Sequence, residues 1–430
     1  MTVAFLVFMA FLILGMPVAF AIGISGFSFF WVTDQIPMTI TVQKALSTTQ
    51  SFTMLAIPLF IFAGNLMNNT GITNRIMKLS NVLTGHLYGN IAQVSCVMST
   101  LMGGVSGSAV ADAAMESRIL GPEMIRRGYS RGWAAGINGL SALIVATIPP
   151  SMGLIIFGSV GEVSIGRLFA AGFVPGVLMM VALMVAVSIS ARRRGYLPEK
   201  AKMSSPGEIL KCCVECVWAL LFPIFLIVFI RYGIMTPSES GAFAIFYAIF
   251  VGWVIYRELT IESFKRTLID SVKDISAITL ILAFSGIFGY GVVYDHLPQN
   301  IAGIMVEITS NSFFMLVIIV LLLMVMGMFM ETTVIALLMT PILLPVAKSV
   351  GVDPVHFGLI MMTTVTFGVM TPPVGVALYT TSTILECPPE VTARESMPFY
   401  LAVLTVIAVL MLFPSISLTV PNWIFGVARY

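Results

Sequence analysis

Apolar runs long enough to cross a bilayer recur from one end of this chain to the other, and that pattern leaves few folds open. They lie at about residues 1 to 32, 52 to 68, 87 to 102, 132 to 159, 167 to 191, 213 to 232, 236 to 256, 275 to 294, 312 to 330, 356 to 383 and 397 to 420, against the roughly 20 residues a helix needs to span the hydrocarbon. About 11 transmembrane helices are therefore expected. Of the 430 residues, 58% are hydrophobic and 10% charged, and the mean hydropathy of +1.01 is far above that of a soluble domain. Lipid offers the backbone no hydrogen bonds, so the chain is expected to be an all-α polytopic membrane protein. The first basic residue is Lys44, so no positively charged region precedes the first run, and that run is expected to stay as a helix. The longest polar interval, 191 to 211, is too short to bury a core of its own.

Basic residues set the orientation. Of the 22 Lys and Arg, six fall between Arg192 and Lys211, three between Arg126 and Arg131, and four between Arg257 and Lys273. The positive-inside rule places these segments in the cytoplasm. The segment from 295 to 311 has none, which places it outside with its acidic Asp295 and Glu307.

Sliding the sequence against itself by 223 residues, without a gap, brings several punctuating residues into register. Ala19-Phe20-Ala21-Ile22 meets Ala242-Phe243-Ala244-Ile245, Pro122 meets Pro345, Gly128 meets Gly351, Pro149-Pro150 meets Pro372-Pro373, Ser159 meets Ser382 and Pro175 meets Pro398. Apolar sequences match by chance, but prolines and glycines govern the backbone and do not recur so easily in one register. The expected organisation is a first repeat over 1–200, a connecting segment over 201–235 and a second repeat over 236–430.

Each half carries two oddities. Residues 103 to 131 hold Asp112, Glu116 and Arg118 among small residues, and charges near the centre of a span cost roughly 2.5 to 3.5 kcal/mol each on insertion scales. A re-entrant hairpin buried in protein removes that conflict. The corresponding segment, 327 to 351, contains Glu331 and Pro341 and suggests a second hairpin. Immediately after each hairpin comes an apolar run, 132 to 159 and 356 to 383, interrupted by a double proline that a helix cannot pass undisturbed.

Matching interrupted helices in two halves point to the binding site of a secondary transporter. An unwound turn leaves carbonyls without helical partners, and these are hard ligands for Na+. The candidate cation ligands are Ser106, Ser108, Ala146, Thr147 and Pro149 in the first half, and Gly327, Thr332, Thr366, Gly368 and Thr371 in the second. Substrate between the two sites would meet Ser106, Pro150, Ser151, Thr333 and Pro373. A simple structural kink is the competing explanation of each double proline.

Five cysteines include Cys213 and Cys216 at a C-x-x-C spacing, but no histidine or second pair accompanies them, so helix-face cysteines are expected. No Ser/His/Asp arrangement, phosphate loop or zinc spacing is present, and an enzyme is not expected.

In "GMPVAFAIG" near the start, "SFTMLAIPLFIFAGNLM" at 51 to 67, "GGVSGSAVADAAM" at 103 to 115, "ATIPPS" at 146 to 151, "GIMTPSESGAFA" at 233 to 244 and "MTPPVG" at 370 to 375, the chain resembles the large membrane subunit of tripartite ATP-independent periplasmic (TRAP) transporters of the C4-dicarboxylate and sialic acid type. The similarity runs nearly end to end. It implies an elevator-type transporter of the bacterial inner membrane, driven by a Na+ gradient and importing an organic acid. It also implies two partners, a small four-helix membrane subunit and a periplasmic substrate-binding protein. Hairpins that open to opposite sides, as in that family, need an odd number of spans between them, whereas the eleven runs place six there. The alternative kept open is a stand-alone Na+-coupled anion symporter that needs no binding protein.

Overall fold

The computed structural model describes residues 1 to 33, 35 to 103, 107 to 309 and 311 to 427. Among these residues the secondary structure is helical throughout. The first half runs α1 (Thr2–Ile13), α2 (Val18–Val32), α3 (Thr39–Thr49), α4 (Ala56–Asn68), α5 (Ile72–Thr84), α6 (Asn90–Met102), α7 (Ala109–Ile119), α8 (Gly121–Arg126), α9 (Arg131–Ser141), α10 (Leu143–Thr147), α11 (Met152–Val160) and α12 (Ile165–Arg194). After α13 (Pro206–Glu215) and α14 (Val217–Arg231) come α15 (Pro237–Phe250), α16 (Ile261–Tyr294), α17 (Leu297–Ile308), α18 (Ser312–Phe329), α19 (Thr332–Ser349), α20 (Pro354–Gly368), α21 (Val376–Ile384), α22 (Pro389–Glu395), α23 (Met397–Leu412) and α24 (Ser415–Phe425).

This is a multi-pass membrane architecture. Five helices among the described residues are long and apolar enough to cross a bilayer unaided, or nine if each sharply bent pair counts as one span. The sequence-based figure of eleven lies above that range, because several of its runs are broken helices. The run 1 to 32 turns at Leu14–Pro17, where Gly15 takes a φ of +76°, and 132 to 159 bends by 43° between Thr147 and Met152.

Helix boundaries in the two halves share the 223-residue register. Adding 223 to Ala109, the start of α7, gives Thr332, the start of α19, and the end of α8 at Arg126 falls on the end of α19 at Ser349. The start of α9 at Arg131 falls on Pro354, the start of α20, and α11 from Met152 lies within one residue of α21 from Val376. Pro149–Pro150 and Pro372–Pro373 are both cis peptides.

Both hairpins can be traced by their cross-links. In the first, Ser95 and Ser99 on α6 donate to Glu116 on α7, so the two arms lie side by side. In the second, Ser312 Oγ at the start of α18 donates to the Val350 carbonyl just past α19, 2.5 Å away, and Met330–Glu331 forms the tip. The apolar runs 87 to 102 and 312 to 330 are therefore the first arms of hairpins. In hydropathy they are indistinguishable from spans, because an arm buried in protein and a helix facing lipid are equally apolar.

The hairpins enter from opposite ends of the molecule. One end gathers charge: Arg127 and Glu199 pair at 3.2 Å, Arg194 and Glu395 at 3.3 Å, Arg131 and Glu386 at 3.0 Å, Lys78 and Glu215 at 2.7 Å, and Arg75 and Glu258 at 2.6 Å. The base of the first hairpin is here, with the Gly89 amide donating to the Tyr196 carbonyl. From this end the long α16 climbs to Asp295, which pairs with the amino group of Met1. The base of the second hairpin follows α17, where Ser312 meets Val350.

One contact fixes how the second hairpin meets its broken helix. A Cβ on Gly368 would lie 2.5 Å from Gly327 Cα and 3.0 Å from the Met324 carbonyl, so α20 and α18 cross backbone to backbone. Only glycine permits that approach. The variant Gly368→Ala should lose about 1 to 3 kcal/mol of stability, the usual cost of overpacking, while Gly207→Ala, with open space around it, should lose none. Thermal unfolding of the purified protein checks both.

Candidate functional site where the hairpin tips meet

The tips come together at one cavity. Its wall consists of Gly107, Ser108, Ala109 and Val110 from the first hairpin, Ala146, Met152 and Gly153 from the first broken helix, and Glu331, Thr332 and Thr333 from the second hairpin. Three helices begin there: α7 at Ala109, α11 at Met152 and α19 at Thr332. Helix starts carry unpaired amides and the positive end of the helix dipole, which favours an anionic group at α7 and α11, while α19 already has the Glu331 carboxylate at its start. The cavity is small, about 20 Å3, enough for a water molecule.

Local chemistry explains each helix start. Ser151 caps α11, accepting from the Leu154 amide at 3.4 Å while its own hydroxyl donates to the Ala146 carbonyl at 2.5 Å. Glu331 caps α19: its carboxylate accepts from the Thr333 amide at 2.9 Å and the Thr333 hydroxyl at 3.1 Å. Gly107 has a φ of +67°, and a Cβ there would lie 2.5 Å from the Pro150 carbonyl. The first tip thus rests on the unwound turn of the first broken helix.

Of the residues singled out in the sequence, Ser108, Ala146, Thr332 and Thr333 share the cavity wall, with Pro150 and Ser151 immediately behind it. Thr147 is buried and its hydroxyl donates back to the Leu143 carbonyl at 3.2 Å. Pro149 is also buried, and both it and the Thr147 carbonyl pack against Gly172 of α12. Gly327, Thr366, Gly368 and Thr371 gather instead at the crossing of α18 and α20. There the Thr366 hydroxyl donates to the Met362 carbonyl at 2.6 Å and the Thr371 hydroxyl to the Gly368 carbonyl at 2.7 Å. Pro373 is exposed and lies away from the cavity. Ser106 falls outside the described residues.

The description "Tripartite ATP-independent periplasmic transporter, DctM component" matches residues 5 to 416. The chain belongs to the DctM family. A sialic acid TRAP transporter large permease protein, SiaM, of Vibrio cholerae is 35% identical over 412 residues, covering 96% of each chain. A 2,3-diketo-L-gulonate TRAP transporter large permease protein, YiaN, of Escherichia coli is 32% identical over 411 residues, again covering 96% of each. Among solved structures, the Alcanivorax borkumensis YdaH transporter aligns with a TM-score of 0.60 at 9% identity, over 86% of this chain and 87% of that one. It shares the fold. DctM proteins are transporter components rather than enzymes, and the resemblance seen in the quoted motifs is thereby accounted for.

In this DctM chain the wall residue that motif reasoning passed over is Glu331. It was visible as a hairpin charge, and in the internal register it matches Ser108, 223 positions earlier, which stands at the N-terminal boundary of α7. The expected consequence is simple. Glu331→Ala should lose about 1 kcal/mol with the helix cap, whereas Glu331→Ser, whose hydroxyl can accept from the freed amides of the first turn, should restore most of it. Thermal unfolding of the two variants reads the difference.

Proposed function

We propose that this chain is the large permease subunit of a Na+-driven, binding-protein-dependent secondary transporter. It imports an organic acid, a C4-dicarboxylate or a sialic or other sugar acid, across the bacterial inner membrane by an elevator mechanism. The observation that carries this reading is the single cavity walled by both hairpin tips, where three helix starts converge. An acid anion suits those helix starts, and the named relatives are transporters of sialic acid and 2,3-diketo-L-gulonate.

Na+ would be held by tip hydroxyls and freed carbonyls on either side, around Ser108 and Ala146 in one half and Thr332, Thr366 and Thr371 in the other. The Ser151 hydroxyl now on the Ala146 carbonyl would have to share that oxygen or turn aside. Hairpins entering from opposite ends, in two halves with one register, suit alternating exposure of a site between them. With α6 and α18 taken as hairpin arms, five of the apolar runs separate the hairpins, the odd number that opposite entry requires. The match over 96% of a large permease protein supports reading this chain as the large subunit. Its partners would be the small membrane subunit and the periplasmic binding protein.

The test is uptake by proteoliposomes holding the chain with its small subunit, supplied with binding protein. Uptake should fall to background when K+ replaces Na+ on both sides, and again when the binding protein is omitted. Thr332→Ala, Thr371→Ala and Thr147→Ala should each weaken Na+ dependence only in part, because carbonyl ligands survive. Undiminished uptake in K+ would contradict the Na+ drive. Undiminished uptake without binding protein would favour the stand-alone symporter.

A further inference from the structure

Behind the cavity, two turns along α7, sits a carboxylate that Na+ coupling does not use. Glu116 is wholly buried. Its Oε1 accepts from the Ser99 hydroxyl at 2.5 Å, and its Oε2 from the Ser95 hydroxyl at 2.5 Å and the Ser141 hydroxyl at 3.0 Å. Ser95 Oγ also lies 3.2 Å from Asn138 Oδ1, and Ser141 Oγ lies 2.8 Å from the Ile137 carbonyl. Among the described residues no Lys, Arg or His forms an ion pair with it. A buried charge held by hydroxyls alone is unusual, since such charges are normally paired.

We propose that Glu116 and these hydroxyls form a proton-binding site inside the first hairpin. The hydrogen bonds balance in either state. With the carboxylate ionised, the hydroxyls of Ser95, Ser99 and Ser141 all donate to it. When one proton arrives from water on Oε2, that O–H donates to Ser95 Oγ. Ser95 turns its own hydrogen to Asn138 Oδ1, Ser141 turns to the Ile137 carbonyl, and Ser99 keeps donating to Oε1. Each 2.5 Å contact holds one hydrogen in both states, and only hydroxyl rotation is required. A site fixed to a single state would leave a donor or acceptor stranded in the other, at a cost of about 1 to 3 kcal/mol.

The second half supplies an internal control. At the same register, 223 residues on, Ser95, Ser99, Glu116, Asn138 and Ser141 become Ile318, Leu322, Met339, Met361 and Thr364. Four of these five are apolar and Leu322 is exposed, yet the second half forms matching helices, so the backbone plan does not need the polar network.

The other titratable groups facing Glu116 are few. Asp112 stands one turn earlier on α7 and Cys96 on α6, both buried. From α9 it meets only the uncharged Asn138 and Ser141, and Arg131 at the start of α9 pairs with Glu386. Neither α10 nor α21 has an Asp, Glu, Lys, Arg or His, and Tyr379 of α21 is exposed. On α8, Glu123 and Arg126 pair with each other. Arg118 of α7 is exposed.

Infrared difference spectroscopy of the purified full chain after a pH jump tests the proposal without substrate, Na+ or partners, and so independently of the transport reading. Wild-type protein should show a protonated-carboxyl carbonyl band that titrates, and Glu116→Gln should lose it. Ser141→Ala, which removes a donor that serves only the ionised state, should move the midpoint of that band with Glu116 intact. In proteoliposomes the step in uptake rate with pH should vanish in Glu116→Gln while Na+ dependence stays. An identical titrating band in Glu116→Gln, or an unmoved midpoint in Ser141→Ala, would overturn the proposal.

Discussion

A helix interrupted inside a membrane frees backbone groups that lipid cannot satisfy, and the rest of this molecule is arranged around meeting that need. The two double prolines create the interruptions, and neighbouring groups cover them. The Ser151 hydroxyl takes the Ala146 carbonyl, the Thr371 hydroxyl takes the Gly368 carbonyl, and the Tyr400 hydroxyl donates to the Met370 carbonyl at 2.6 Å. The Gly375 amide reaches the Met328 carbonyl of the second hairpin at 2.8 Å. Close backbone approach makes this possible, and it is why glycines stand at Gly107, Gly327 and Gly368. Covering the breaks with hairpins also brings the hairpin tips together, and the cavity follows from that convergence.

The two halves use the same backbone plan with different chemistry. The first tip has an uncharged serine at the start of α7 and the polar network around Glu116 behind it, whereas the second is capped by Glu331 and has Ile, Leu and Met at the positions matching Ser95, Ser99 and Glu116. The first broken turn is buried at Pro149 and Pro150, while Pro372 and Pro373 are exposed. A site that joins the halves is therefore asymmetric in charge, which suits a ligand whose own charge is localised at one end.

Much of this was legible in the sequence. Apolar periodicity gave the membrane class, and proline and glycine spacing gave the register, because those residues act on the backbone wherever they fall. Side-chain identity was a weaker guide. Met and Leu in α18 read the same whether they face lipid or protein, so a hairpin arm passed for a span. Gly327 and Gly368, read as carbonyl sources, also form a helix crossing that their sequence context did not disclose. The Thr366 and Thr371 hydroxyls donate to the Met362 and Gly368 carbonyls, local bonds that composition cannot reveal. Ser108, Ala146, Thr332 and Thr333, singled out because they border the breaks, share one cavity wall.

The central claim is that the cavity between the hairpin tips is where cargo and coupling ion bind. The most direct measurement is a cryo-EM structure of the assembled transporter in Na+ with its organic acid. The account predicts density for the acid against the starts of α7, α11 and α19, with ion density beside Ser108 and Thr332. Ligand density elsewhere, with the tips still closed on each other and the cavity unchanged, would contradict it.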